Sequence, residues 1–277
     1  MNKSGDILIM RKISIIGAGN IGLAIANGLA DSKEFSAKEI ILTNKKFSIL
    51  DGLDKRGFTL EKNNCEAVKN SDVVIITVEP QHLDNVLDEI GTVLVPDKHI
   101  LISVVTGAKI EQISQKASKG VTVIRAMPNT AMAVRESMTC LASNNANQES
   151  MDIAQQIFDA VGTTLIIEEE MMSAATALAA CGIAFFLRAI RAASQGGIEI
   201  GFHAKEALAM AAQTAKGAAT LLLTNKNHPE HEIDRVTTPM GCTIAGLNRM
   251  EHEGFSSAMI KGITVSANKA AGLYKKD

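Results

Sequence analysis

Aromatic side chains make up 3% of the 277 residues, with no tryptophan and a single tyrosine. Binding of unpaired bases needs several exposed rings along a basic groove. Here the formal net charge is −2, so nucleic acid is not an expected partner. The four cysteines, Cys65, Cys140, Cys181 and Cys242, lie far apart and form no CxxC pair. That spacing argues against zinc knuckles and a disulfide framework, and it suits a reducing, cytoplasmic compartment. Histidine numbers six, and "HPEH" at His228 to His231 shows neither helical continuity nor further ligands. No metal site is expected, and no GxSxG nucleophile elbow occurs. The opening "MNKSGDILIMRK" lacks the apolar core and small-residue cleavage site of a signal peptide. No uncharged apolar run reaches the roughly 20 residues that span a bilayer, so a membrane is not expected either.

What is present is a hydrophobic content of 46% in a chain long enough for two domains. Residues 1–11 read as an N-terminal extension. From Lys12 to about Ile167, β-branched runs alternate with helical patterns: "ISII" at Ile13, "IILT" at Ile40, "VVIITV" at Val73, "ILISVV" at Ile100 and "VTVIRA" at Val121. Such alternation predicts a parallel sheet with crossover helices, an α/β Rossmann-type domain over 12–167. "MTCLA" at Met138 and "TLII" at Thr164, flanking a helix from Ser150 to Ala160, are expected to extend its edge. Beyond Glu168 the chain is rich in Ala, Leu and Met, which predicts an all-α domain over 168–277. Ile183 to Ile200 is apolar around most of its circumference yet carries Arg188, Arg191 and Glu199. A helix of that kind is expected to be buried against a second subunit rather than lipid.

"GAGNIG", Gly17 to Gly22, directly follows the first strand and opens a helix. Gly17 permits the tight turn, Gly19 the approach of a pyrophosphate, and Gly22 close packing of helix on strand. The helix N-terminus would then face the phosphates. An NAD site usually carries a carboxylate at the end of the second strand. This chain has Asn44, Lys45 and Lys46 there, which points to the 2′-phosphate of NADP, with NAD as the second possibility.

"ISIIGAGNIGLAIANGL", "VEPQHLDNVLDEI" at Val78, "ISVVTG" at Ile102, "RAMPNTAMAV" at Arg125 and "VTTPMGCTIAGLNRMEHEGF" at Val236 occur in order along nearly the whole chain. Together they resemble pyrroline-5-carboxylate reductases. The resemblance implies a 6-phosphogluconate-dehydrogenase-like Rossmann domain followed by a helical dimerisation domain, with dimers assembling into decamers. It also implies NAD(P)H-dependent reduction of 1-pyrroline-5-carboxylate to L-proline. The implied cofactor residues are Ile16, Gly17, Ala18, Gly19, Asn20, Ile21, Asn44, Lys46 and Asn64, the strand ends Thr77, Val78, Glu79, Pro80, Val104 and Thr106, and Ala126, Pro128 and Asn129.

In "TTPMGCTIAGL", Pro239 is expected to stop one helix and free the N–H groups of Met240, Gly241 and Cys242 to meet an anion. Thr243 is expected to open the next helix, as a cap or as a donor. The resemblance implies that Thr243 contacts the substrate's ring nitrogen and is the polar catalytic residue. Four segments depart from the family pattern: Glu79 stands for a lysine, Ala131 for a proline, Cys181 and Ile183 flank Gly182 where serine and proline would stand, and Met240 and Cys242 alter "SPGGTT". Losing the proline at Ile183 is expected to straighten its helix. Met240 and Cys242 keep open a related cyclic imine as substrate, and the four departures together keep open a nucleotide-binding sensor without turnover.

Overall fold

The computed structural model describes residues 11–272, so the extension expected over 1–11 lies outside the described residues except for Arg11. Contacts divide the chain into two compact units. The first runs to Ala180 and resumes at Ser266, and the second is Cys181–Val265.

The first unit is built on eight strands: β1 (Ile13–Ile16), β2 (Ile40–Thr43), β3 (Thr59–Glu61), β4 (Val73–Ile76), β5 (Ile100–Ser103), β6 (Thr122–Met127), β7 (Ser137–Ala142) and β8 (Gly162–Ile166). Interleaved are helices α1 (Asn20–Ser32), α2 (Asn64–Lys69), α3 (Pro80–Ile90), α4 (Ile110–Lys116) and α5 (Gln148–Asp159). The sheet order is β3-β2-β1-β4-β5-β6-β7-β8. All pairings are parallel except that of β6 with β7. The two edge runs expected to extend the sheet do so as β7 and β8. Strand β3 was not foreseen, because "TLE" is too short to show a period.

β1, β2, β4 and β5 are buried along their whole length, as strands covered on both faces must be. One core gathers Ile15, Ile25, Leu29, Ile75 and Phe158 on the α1/α5 face. The other gathers Ile76, Leu83, Leu87, Leu101 and Ile113 on the α2/α3/α4 face.

The boundary expected at Glu168 falls later. Met172 packs with Met127, Cys140 and Ala142 of the sheet, with Ala175 and Ala180 against them, so 168–180 belongs to the first unit's core. That segment forms α6 (Met172–Ala175) and then a π turn, Thr176–Ala180. Ile183, whose helix was expected to be straight, lies beyond this turn. The Asn129 side chain donates to the Ala179 carbonyl at 3.1 Å and occupies an acceptor of that turn, and side chains entering the ladder are a recognised cause of such bulges.

The second unit holds α7 (Gly182–Glu199), α8 (Ala204–Asn225), α9 (Pro229–Arg235), α10 (Cys242–His252) and the greater part of α11 (Phe255–Ala270). α7 and α8 approach closely at Gly197, where an added Cβ would lie 2.9 Å from that of Ala207. "HPEH" is helical after all: His228 caps α9, its Nδ1 accepting from the Glu230 N–H, and Pro229 begins the helix. Within this chain α7 leaves Phe186 and Leu187 about 60% exposed. By length and composition alone the helical stretch Glu169–Glu199 could cross a membrane. Its run free of charge ends at Arg188, short of a full span.

His99, at the start of β5, is 2% exposed, and its Nδ1 accepts from the Val95 N–H at 2.8 Å. Its Nε2 has no partner. Burial, aided by Lys98, pushes its pKa below the ordinary imidazole value, against the opposing influence of the Val68 backbone, the Asp72 charge and the Ser71 backbone. Below about pH 6.5 the unfolded chain therefore binds more protons here than the folded one, and stability declines as the pH is lowered. At higher pH both states are neutral and the penalty vanishes. His99→Asn, which retains an acceptor for Val95, should flatten the drop in Tm between neutral pH and about pH 5. An unchanged slope would place the acid sensitivity elsewhere.

Candidate active site

The carboxyl end of the sheet carries the glycine loop at the switch between β2-β1 and β4-β5, where open α/β sheets take their ligands. Gly17 has φ of +84°, and a side chain on it would overlap Val78. At Gly22 an added Cβ would lie 2.6 Å from Thr77 Oγ1 and 3.0 Å from Ile15. These two positions let α1 ride directly on β1 and β4.

The loop is pinned from both sides. Gly17 and Ala18 donate their N–H groups to the Thr43 carbonyl at 3.1 and 2.7 Å. Thr77 Oγ1 donates to the Gly17 carbonyl at 2.9 Å, and Asn44 Nδ2 to the Ala18 carbonyl at 3.0 Å. Thr43 Oγ1 donates to Asn64 Oδ1 at 2.6 Å, and Asn64 Nδ2 to Glu89 at 2.8 Å. Ile16 to Ile21, Asn44, Asn64 and Thr77 thus form one connected cradle.

The cradle fits a dinucleotide. At Gly19, the N-cap of α1, no side chain bonds the first-turn amides. A Cβ there would find nothing nearer than the Gly17 carbonyl at 3.8 Å. A bare, uncapped helix start is the geometry that receives a pyrophosphate. Lys45 and Lys46 are exposed beside it, and the Lys46 N–H donates to Asn44 Oδ1 at 2.8 Å. Glu79 is exposed and accepts from Gln81 at 2.6 Å, while Pro80 is the first residue of α3.

Farther along the same edge lie Val104 and Thr106 after β5, and Ala126, Pro128 and Asn129 at the end of β6. Ala126, Pro128 and Asn129 are buried. All of Asn129's side-chain capacity seen here is structural, since Oδ1 accepts from Ala131 and Nδ2 donates to Ala179. Sequence reasoning missed the groups that hold this edge. Arg125 Nη1 meets Glu169 Oε1 at 3.1 Å with both side chains largely buried, and the same oxygen accepts the Ile110 N–H at 2.6 Å. Burial pushes the Arg125 guanidinium downward and Glu169 partly restores it. The clue in sequence was a lone arginine inside an otherwise apolar strand.

Met240, Gly241, Cys242 and Thr243 belong to the second unit. Here the structure corrects three expectations. α9 ends at Arg235, before Pro239, because the Thr237 hydroxyl takes the Ile233 carbonyl at 2.7 Å and a residue preceding proline disfavours helix. Thr238 to Gly241 is a turn closed by the Gly241 N–H on the Thr238 carbonyl at 2.9 Å, so that amide is not free for an anion. Gly241 is the N-cap of α10, Cys242 its first residue and Thr243 its second, so Thr243 is not the cap. Met240 is fully exposed, with φ of +59°. The family pattern has glycine at this left-handed position.

The family descriptions that match are "Pyrroline-5-carboxylate reductase dimerisation" over residues 169–273 and "NADP oxidoreductase coenzyme F420-dependent" over residues 12–107. Pyrroline-5-carboxylate reductase 1 of Dictyostelium discoideum is 52% identical over 95% of this chain and 50% of its own length. This chain thus spans about half the length of that relative. Pyrroline-5-carboxylate reductase 2 of the same organism is 44% identical, over 96% of this chain and 94% of its own. A pyrroline carboxylate reductase of Plasmodium falciparum, solved with NADP bound, superposes with TM-score 0.85 at 22% identity, covering 96% of this chain and 98% of that one.

Two substitutions test this geometry. Gly22→Ala should cost about 2 kcal/mol of stability by urea unfolding, since Thr77 and Ile15 leave no room. Stability within 0.5 kcal/mol, a margin of about the usual surface effect, would show that α1 can shift freely. Met240→Gly should stabilise by about 0.5 kcal/mol, the relief of a left-handed residue less the entropy of glycine; a loss of stability would show that the methionine side chain is held.

Proposed function

Because the chain belongs to the pyrroline-5-carboxylate reductase family, we propose that it reduces 1-pyrroline-5-carboxylate to L-proline with NAD(P)H, the final step of proline biosynthesis. The observation that carries this is the 44% identity over 94% of a full reductase, joined to a cradle built for a dinucleotide. NADP is the preferred cofactor and NAD the second. The NADP oxidoreductase match over residues 12–107 and the absence of a carboxylate after β2 support that order.

When bound, the reduced nicotinamide supplies hydride to the carbon of the C=N bond. The chain's own residues do the holding. Uncapped amides at the start of α1 receive the pyrophosphate, Lys45 and Lys46 the 2′-phosphate, and Asn44 and Asn64 the adjoining ribose. Val78, Glu79 and Pro80, Val104 and Thr106, and Ala126, Pro128 and Asn129 border the nicotinamide half. In the helical domain, residues 168–277, the N–H groups of Met240 and Cys242 take the substrate carboxylate, with Gly241 shaping the turn. The Thr243 hydroxyl, which makes no hydrogen bond among the described residues, meets the ring nitrogen and keeps it oriented as carbon gains hydride and nitrogen holds a proton. Orientation is the main contribution such a site makes, because the reactivity is the cofactor's.

Homodimers form through the C-terminal helices and assemble further into decamers, in the cytoplasm and without a membrane. The dimerisation match over 169–273 and the exposed Phe186 and Leu187 of α7 support the dimer. A related cyclic imine is the second reading, favoured by Met240 and Cys242, where the family pattern has a glycine and a threonine.

Purified protein mixed with NADPH and pyrroline-5-carboxylate should oxidise the cofactor and yield proline. Folded, nucleotide-binding protein that stays inactive on this substrate yet turns over another cyclic imine would favour the second reading. Thr243→Ala should lower kcat about 100-fold and leave the Kd for NADPH unchanged. A change below twofold would remove Thr243 from the chemistry.

A further inference from the structure

Strand β3 pairs with β2 in parallel, Thr43 against Glu61, so the next residue on each strand, Asn44 and Lys62, leave the sheet side by side. Lys62 is absent from any sequence motif, since β3 is invisible in the pattern. Its Nζ lies 5.1 Å from the centroid of the Phe47 ring, and Phe47 directly follows Lys46. An ammonium over an aromatic face is held by the ring quadrupole. The ring therefore fixes Lys62 on the same corner as Lys45 and Lys46.

Some lysines of the sheet unit are held by carboxylates and others are not. Lys69 and Lys116 are paired with carboxylates at 2.8 and 2.7 Å. Among the described residues, no ion pair engages Lys45, Lys46 or Lys62. The nearest acid in sequence, Glu61, turns its Oε1 to the N–H groups of Lys62 and Asn63 at 2.7 and 2.8 Å. Lys45 and Lys46, just after β2, and Lys62, just after the adjoining β3, thus carry no ion pair among the described residues. Such a corner attracts a dianion strongly and a neutral hydroxyl weakly.

We propose that Lys62 is a specificity-determining residue that grips the cofactor's 2′-phosphate from the β3 side, completing the site of Lys45 and Lys46 with Phe47 as its platform. This rests on the nucleotide-binding reading of the cradle. It accounts for NADP selection in a chain that carries Glu79 where its family pattern has a lysine. Lys62 adds a positive charge from the end of β3 to those of Lys45 and Lys46.

The test compares full-length protein with its Lys62→Gln, Lys62→Arg and Phe47→Leu variants by calorimetry. The probes are NADPH, NADH, and the fragments 2′,5′-ADP and 5′-AMP. Lys62→Gln should weaken 2′,5′-ADP and NADPH about tenfold, the worth of one charge-assisted contact, and leave 5′-AMP and NADH within twofold. Lys62→Arg should retain NADPH binding, since a guanidinium both stacks and binds phosphate. Phe47→Leu should give a smaller loss confined to the same two ligands. Equal weakening of all four ligands, or none, would overturn the role of Lys62 while wild-type NADPH binding left the nucleotide site standing. Wild-type protein that binds none of the four would overturn both.

Discussion

Everything at the carboxyl edge depends on two missing β-carbons. Gly17 and Gly22 remove the atoms that would hold α1 away from β1 and β4, and Thr77 occupies the space so released. A helix that begins this close to the sheet leaves its first amides over the switch point with no side chain to cap them. Their partial positive charge is then available to a ligand, because nothing in the protein satisfies it. Thr43, Asn44 and Asn64 extend the constraint outward through hydrogen bonds of 2.6 to 3.1 Å. The bond from each residue fixes the next, so the loop is pre-arranged before any cofactor arrives, and little ordering remains to be done on binding.

A second anchor organises the other half of that edge. Glu169 joins the buried Arg125 of β6 to the first amide of α4. A buried pair of this kind is costly to break and of small net benefit to make. Its value lies in registering the loop after β5 against the end of β6. Glu169 also stands at the entrance to the segment matched as a dimerisation region. Residues from there to Ala180 pack into the sheet's own core. The first turns of the region concerned with assembly are therefore part of the unit that carries the nucleotide cradle.

The strands of the parallel sheet were legible because their β-branched runs are buried on both faces and tolerate little else. The glycine loop was legible because its spacing states a backbone requirement. What could not be read depends on tertiary partners. β3 has only three residues and acquires its identity from pairing with β2. The Arg125–Glu169 pair joins positions 44 residues apart. The π turn has one of its carbonyls taken by Asn129, 50 residues away. The segment around Thr243 was read correctly as a break between helices, but its cap was misplaced. A turn with a left-handed Met240 puts Gly241, not Thr243, at the boundary, and no local preference would put methionine there.

That methionine separates two kinds of departure from the family pattern. Glu79 changes charge just after β4, where its carboxylate accepts from Gln81. Met240 changes no charge, yet it sits where φ is +59° and the cost falls on the backbone. A residue kept in a disfavoured conformation with its side chain fully exposed gains nothing from packing within its own chain. The turn closed by the Gly241 N–H on the Thr238 carbonyl holds the strained position in place. The first departure is thus a matter of electrostatics, and the second of backbone conformation.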